Sequence, residues 1–358
     1  MKVNFDNTLR IQGCEIINYL LEKSRVVNQT AMERNYHIFY QLVAGADTTL
    51  RSRLQLTNTE SFHYLNQSGC TQIDGVDDTK DFNEVVQALD TLQFSEQIKD
   101  AMFRIIAGIL HLGNVTFEAG DTKETSEASR VAPAAMKHLQ IAADIFGVSV
   151  DILRLSLIGK VVQMGSRGSM VKMVLNRAQA AETRDAVCKA LYGNLFDWTI
   201  RSVNATLKTE SSPFFIGILD IFGFEIFEIN SFEQLCINYA NEKLQYHFNE
   251  VIFSGEMSMY EEEGVPTDKI QFEDNSECVM LIEGKPVGLL SLLEEECSCK
   301  HRYLYHISHI SCCCCCCCYY YVIIVFLYNI NCVLYSMEPL FVAVSGKQRQ
   351  RHDVHRKD

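Results

Sequence analysis

The chain has 358 residues, room for one large domain or two ordinary ones, with 47% hydrophobic residues and a mean hydropathy near zero. A net charge of −13 speaks against nucleic acid as a partner, and Met1 leads into Lys-Val-Asn-Phe-Asp with no apolar core behind a basic start, so no secretory signal is expected. Of fifteen cysteines seven form one run, Cys312–Cys318, and those before Cys297 are scattered singly, which reads as reduced thiols in a cytosolic protein rather than a disulfide framework.

Residues 1–27 read as a sheet edge. Met1, Val3 and Phe5 alternate with Lys2, Asn4 and Asp6, and Leu9 and Ile11 alternate beyond an Asp-Asn turn. From Glu33 the spacing of Ile38, Phe39, Leu42, Val43 and Ala46 predicts a helix. The stretch 66–81 is rich in Gly, Ser and Asp and reads as loop, followed by helices over 82–92 and 98–112, a polar surface loop at 121–128, and helices over 134–146 and 177–207. Between Asp151 and Glu182 there is no acidic residue, while Arg154, Lys160, Arg167, Lys172 and Arg177 are present and Gly165 and Gly168 suggest an exposed turn. A solvated basic hairpin and a contact for an acidic partner are both open readings.

Next comes the apolar run Phe214-Phe215-Ile216-Gly217-Ile218-Leu219, continuous rather than alternating, as expected of a strand covered on both faces of a mostly parallel sheet. Asp220 stands where that strand would end, Gly223 allows close backbone approach, and Glu225 follows. In open α/β sheets ligands bind beyond the carboxyl ends of strands, and an Asp there commonly partners a Mg²⁺ on nucleotide phosphates. Ser231-x-x-Gln234 is a capping box, and Phe232, Leu235, Cys236, Tyr239, Leu244, His247, Phe248 and Val251 recur at helical spacing as a core-packed face.

The text LDIFGFEIFEINSFEQLCINYANEKLQYHFN (219–249) closely resembles switch II and the relay helix of the myosin motor domain. SRVVNQTAMERNYHIFYQL (24–42), IAGILHLGNVTF (106–117) and RDAVCKALYGNLFDW (184–198) resemble the upper half of its actin-binding region, and residues 260–297 the start of the lower half, except that Pro266-Thr267-Asp268 stands where myosins usually carry Trp. Kinesins and other nucleotide-switch families share the sheet logic but not this text. The resemblance implies an α/β fold of the P-loop NTPase type, mostly helical around part of a mixed sheet. It divides the chain into sheet strands (1–27), the upper half (28–207), switch II and relay (214–253), the start of the lower half (254–297) and a tail (298–358). It also implies ATP and Mg²⁺ as cofactors, the actin filament as partner, and a cytoplasmic, cytoskeleton-associated place. By family role Asp220 assists Mg²⁺ from the outer shell, Gly223 offers its N–H to the γ-phosphate, and Glu225 pairs with the Arg of switch I. Lys160, Arg167 and Lys172 would touch actin, and Ser169, sixteen residues before Asp185, falls where members carry an acidic or phosphorylatable residue.

Two absences qualify the reading. No GxxxxGK[ST] occurs, since Gly159-Lys160, Gly284-Lys285 and Gly346-Lys347 are followed by Val, Pro and Gln, and the switch I text NxNSSRFGK is missing. In the family MKVxFD comes directly after switch I, so Met1 is expected to be an internal methionine of a longer frame. As written, the chain is expected not to bind or hydrolyse ATP, with a non-enzymatic truncated product or weak actin binder as the other reading. After about residue 297 the family text stops. Cys and Tyr codons differ in the middle base, so the seven Cys and three Tyr from 312 read as mis-translated repeat sequence. The uncharged stretch 312–328 is a weak transmembrane candidate, and His301, His306 and His309 with the Cys run are a weaker metal-site one.

Overall fold

Asp6 closes the first hairpin. Its Oδ1 accepts from the backbone N–H of Thr8 (2.7 Å) and of Arg10 (3.0 Å), and its Oδ2 from Gln12 Nε2 (3.0 Å). These bonds turn the chain between β1 (Lys2–Phe5) and β2 (Ile11–Glu15), which pair antiparallel with Lys2 opposite Glu15. The computed structural model describes residues 1–19, 21–120, 128–164, 169–207, 214–226, 230, 232–266 and 274–298, with backbone only at 160–164, 169–172, 254 and 297–298. The expected loop at 121–128, all but its last residue, and the tail with its membrane and metal candidates lie outside the described residues. The chain divides into two compact units, 21–207 and the remainder.

The 21–207 unit is helical around one core. Its helices are α1 (His37–Gly45), α2 (Thr48–Arg53), α3 (His63–Asn66), α4 (Asp78–Thr91) and α5 (Glu96–Gly113). A short ribbon of β3 (Phe117–Ala119) and β4 (Ser129–Val131) leads to α6 (Met136–Phe146) and α7 (Val150–Ile158). The second ribbon, β5 (Gly159–Met164) and β6 (Ser169–Val174), is antiparallel and feeds α8 (Arg177–Leu207). Ser95 starts α5 by accepting from Ile98 N–H (3.4 Å), and the second half of that helix is buried all round, from Ile106 to Gly113. Along α8 the buried residues Ala180, Arg184, Cys188 and Tyr192 fall every fourth position, a narrow stripe whose Tyr192 stacks on Tyr36 at 4.6 Å.

Helix α4 begins four residues before its apolar period. Asp77 accepts from the N–H groups of Thr79 (3.0 Å) and Lys80 (3.1 Å), so the cap and not the first core residue, Phe82, sets the start. The expected loop is shortened accordingly. Helix α7 was not anticipated, because exposed Ile152 and Leu155 interleave with the inward spacing of Val150, Leu153 and Leu157.

The other unit holds a three-stranded sheet in the order β2-β1-β7, with β7 at Phe214–Gly217. Its helices are α9 (Phe232–Phe248), α10 (Gly255–Glu262), α11 (Ser276–Glu283) and α12 (Leu289–Ser298), and a π-helical turn, Asn249–Ser254, joins α9 to α10. The architecture is mostly helical with small antiparallel sheets. This corrects the parallel-sheet reading of 214–219. Strand β7 runs antiparallel to β1, Phe5 opposite Phe214, and it forms a sheet edge among the described residues. Phe214, Ile216, Ile218 and Leu219 are exposed rather than covered on both faces.

Candidate functional site

Strand β7 delivers the Asp220–Glu225 segment. Beyond Gly217 one further pair of bonds ties the chain to the first strand, Ile218 N–H to Met1 O (2.8 Å) and the Met1 ammonium to Ile218 O (2.7 Å). Residues 218–226 then run without regular structure. Asp220 is exposed, three residues past the strand rather than at its end.

The segment is held against α9 by side-chain amides. Asn238 brackets Glu225: its Oδ1 accepts from Glu225 N–H (2.8 Å) and its Nδ2 donates to Glu225 O (2.9 Å). Asn241 donates to Phe222 O (2.9 Å), and Gln234 Nε2 lies 3.5 Å from Glu225 Oε2. Residues 234, 238 and 241 are spaced i, i+4, i+7 and share one face of the helix. Between loop and helix lies a cleft of about 190 Å³ lined by Tyr19, Asp220, Phe222, Ile237 and Asn241 among others.

On its other side α9 is clamped to α11. Tyr239 donates to a Glu283 carboxylate oxygen, and Lys243 Nζ lies 2.6 Å from the other. Asn275 donates to both Glu242 O (2.8 Å) and Glu242 Oε2 (2.6 Å). Burial, then the Glu283 charge, pushes the Tyr239 phenol well above its ordinary range, so it stays a donor. Burial likewise pushes the Cys236 thiol up to about 12, which leaves it unreactive.

The expected core stripe of α9 is corrected by this arrangement. The buried positions are Gln234, Ile237, Tyr239 and Ala240, while Phe248 is exposed and Phe232, Leu235, Cys236, Leu244, His247 and Val251 are half-buried. The faces that pack are those meeting α11 and the 222–225 backbone. The sequence reading missed Gln234, Asn238 and Asn241 as functional side chains. Their signal was available: asparagine competes with helical hydrogen bonds and is poor in helix interiors, yet two stand in mid-helix. Ser231 of the capping box lies outside the described residues.

Gly223 has neither a left-handed φ nor a neighbour within 4 Å of where a Cβ would stand, so the expected close approach is not present among the described residues. Glu225 is half-buried, and its described carboxylate neighbour is the Gln234 amide. Asp220 fits the part of an outer carboxylate near a metal, being exposed at the mouth of the cleft, but among the described residues no three His, Cys, Asp or Glu side chains gather as a metal set.

The second candidate region is the β5–β6 ribbon. Its register sets Lys160 opposite Met173, Lys172 opposite Val161 on the next rung, and Ser169 opposite Met164 at the far end. Arg167 lies outside the described residues. No helix among the described residues is long and apolar enough to cross a membrane.

The Asp220–Glu225 segment is thus held on one face of α9, and comparison with known proteins gives the family. Residues 1–307 match the myosin head (motor domain) family, a little past the divergence expected at 297. The chain is 44% identical to the myosin-I heavy chain of Dictyostelium discoideum over 297 residues, and 43% identical to myosin-3 of Arabidopsis thaliana over 301. To unconventional myosin-VI of Homo sapiens it is 38% identical over 326 residues. Each match covers 83% of this chain, but only 12%, 25% and 25% of those relatives, respectively. The chain belongs to the myosin head (motor domain) family, whose members bind ATP with Mg²⁺ and actin.

Proposed function

We propose that this chain is a stretch of an actin-based, ATP-driven cytoskeletal motor, working in the cytoplasm on filaments, and that it carries the phosphate-sensing switch, the relay and part of the filament contact. The supporting observation is the amide strap. Because Asn238 holds both backbone groups of Glu225 and Asn241 holds Phe222 O, the 222–225 backbone cannot shift without drawing α9 or breaking three hydrogen bonds. When bound, Mg–nucleotide would supply the charge that moves the segment. Asp220 would face the metal from the outer shell, Gly223 would offer its N–H to phosphate, and Glu225 would close the switch. Lys160, Arg167 and Lys172 would meet actin. Ser169 would tune that contact, since a phosphate there adds about −1.5 to −2 charges.

A second reading, which rests on the β5–β6 ribbon carrying Lys160 and Lys172, is a non-enzymatic actin-binding module. Equilibrium binding of labelled Mg–ATP and cosedimentation with filaments separate the two. Both readings expect sedimentation with actin; saturable Mg–ATP binding at micromolar concentration would favour the ATP-driven reading, its absence the non-enzymatic one, and failure to sediment would overturn both. Replacing Ser169 by Glu should change filament affinity where Ser169→Ala does not, and equal affinities would remove the regulatory role.

A further inference from the structure

Glu283 is the last residue of α11, the end of a helix where a carboxylate meets the negative pole of the backbone dipoles. An acid in that position is locally unfavourable, and such departures from local preference tend to mark functional positions. What holds it there is α9. Lys243 Nζ lies 2.6 Å from Glu283 Oε1 and the Tyr239 hydroxyl donates to Oε2, so each carboxylate oxygen has its own partner. Tyr239 and Lys243 stand i, i+4 and share one face of α9. The Lys243 and Glu283 side chains are 17% and 28% exposed, so salt screens them less than a surface pair. The other end of α11 is tied as well. Asn275, at its N-cap position, donates to Glu242 O and Glu242 Oε2, and between the two ties Ile282 packs with Tyr239 and Ala240.

The residues that grip α11 and those that grip the switch segment alternate along the same turns of α9. Asn238 and Asn241 hold Glu225 and Phe222, while Tyr239, Glu242 and Lys243 hold α11. Each residue turns a helix by about 100°, so a slip of one position against α11 would swing both amides away from the 222–225 backbone. We propose that Glu283 is a positioning residue for the switch segment: by fixing the rotation and register of α9 against α11, it sets where Asn238 and Asn241 hold residues 222–225. Among the described residues Glu283 has no hydrogen bond or ion pair with that segment, so it acts through the two amides. The role rests on the reading of 222–225 as a phosphate-sensing switch, and it adds α11 as a second element that the switch must move or break from.

The test is hydrogen exchange by mass spectrometry on the full chain, without nucleotide or actin, followed at residues 222–226, where Asn238 protects the Glu225 amide. Glu283→Ala should speed exchange there about tenfold while the α9 amides stay as protected as in the parent. Tyr239→Phe, which removes the donor and keeps the ring, should act in the same direction by a smaller factor. Glu277→Gln, on the exposed first turn of α11, should exchange like the parent. Because the anchor works through the strap, Glu283→Ala/Asn238→Ala should exchange no faster at Glu225 than Asn238→Ala alone. Parental exchange at 222–226 in Glu283→Ala overturns the proposal. A rise that spreads through α9 does too, since Glu283 would then only keep the helix folded, and so do additive effects in the double variant. None of these outcomes involves ATP or filaments. Failure here therefore leaves the motor reading standing, and failure to sediment with actin would remove that reading without altering the exchange result.

Discussion

His111 is 1% exposed, and both of its ring nitrogens have partners. Nε2 lies 2.9 Å from Leu54 O and must donate there, which leaves Nδ1 as an acceptor facing His138 Nδ1 at 3.1 Å. His138 therefore carries its proton on Nδ1, and its Nε2 accepts from Asn114 Nδ2 at 3.4 Å. The Asn114 amide is oriented by accepting from His63 N–H (2.8 Å) and donating to Ser61 O (2.7 Å). Charging either ring would set two N–H groups against each other. Burial drives His111 down to about 4, with His138 and Lys137 as further opposing charges, and burial then Lys137 lowers His138. A histidine depressed in the folded state contributes stability above its unfolded value near 6.5 and loses it as pH falls toward 4. The loss is at most about 3 kcal/mol for His111. Urea unfolding between pH 7 and 4 should show the parent losing stability more steeply than His111→Gln, and parallel curves would contradict the assignment. At the strap, Asn238→Ala leaves Glu225 N–H and C=O without their amide partner. It should cost about 1–3 kcal/mol locally and speed hydrogen exchange at residues 222–226, while Asn204→Ala, in the other unit, should not.

At the scale of elements, α5 shows how closely the helical unit is fitted. A Cβ on Gly113 would stand 2.6 Å from the Tyr64 ring, and one on Gly108 would overlap the Phe146 ring. In an exposed helix Gly→Ala gains about 1 kcal/mol, but here overpacking of about 1–3 kcal/mol opposes it. Gly108→Ala should therefore lower the denaturation midpoint, and adding Phe146→Leu should restore part of the loss. A raised midpoint for Gly108→Ala alone would show that the ring can move aside. The same fit explains what could be read beforehand. The α5 and α8 spans and the first hairpin follow from hydrophobic period and turn residues, which act locally, and so they were legible. The candidate residues Asp220, Gly223 and Glu225 could be named from text alone, because they stand in a run that resembles the family's. Its geometry was not. The face α9 buries depends on α11 and on the amides gripping residues 222–225, contacts of long sequence separation that no period encodes. Helix α7 escaped because its core spacing is interleaved with exposed Ile152 and Leu155, which blurs the amphipathic signal.

Among the described residues the two units differ in how much apolar surface each hides, and that predicts unequal stability. In the 21–207 unit a continuous cluster runs from Val26 through Phe39, Tyr64, Ile109 and Leu139 to Tyr192. Among the described residues of the other unit the buried apolar cluster around α9 consists of Tyr239, Ala240 and Ile282, with Cys236 and Leu290 packed on it, and Ile237 and Val279 are buried besides. Its sheet meanwhile exposes Phe214, Ile216 and Ile218, and the following segment exposes Phe224 and Ile226, the last at 85%. Burial of apolar area stabilises by about 25 cal/mol per Å², so the unit that hides less has less to offset the entropy of ordering its chain. Among the described residues strand β7 also stands at the edge of its sheet and holds neither a charge nor a proline. The chain should therefore bind an apolar dye such as anilinonaphthalene sulfonate under native conditions. It should also unfold in two steps in urea, the β7–α9 unit first. Limited proteolysis in the window between the steps should leave a protected product close to residues 21–207. A single cooperative transition without dye binding would mean that the 214–226 face is covered in solution, and the inequality of the two units would be refuted.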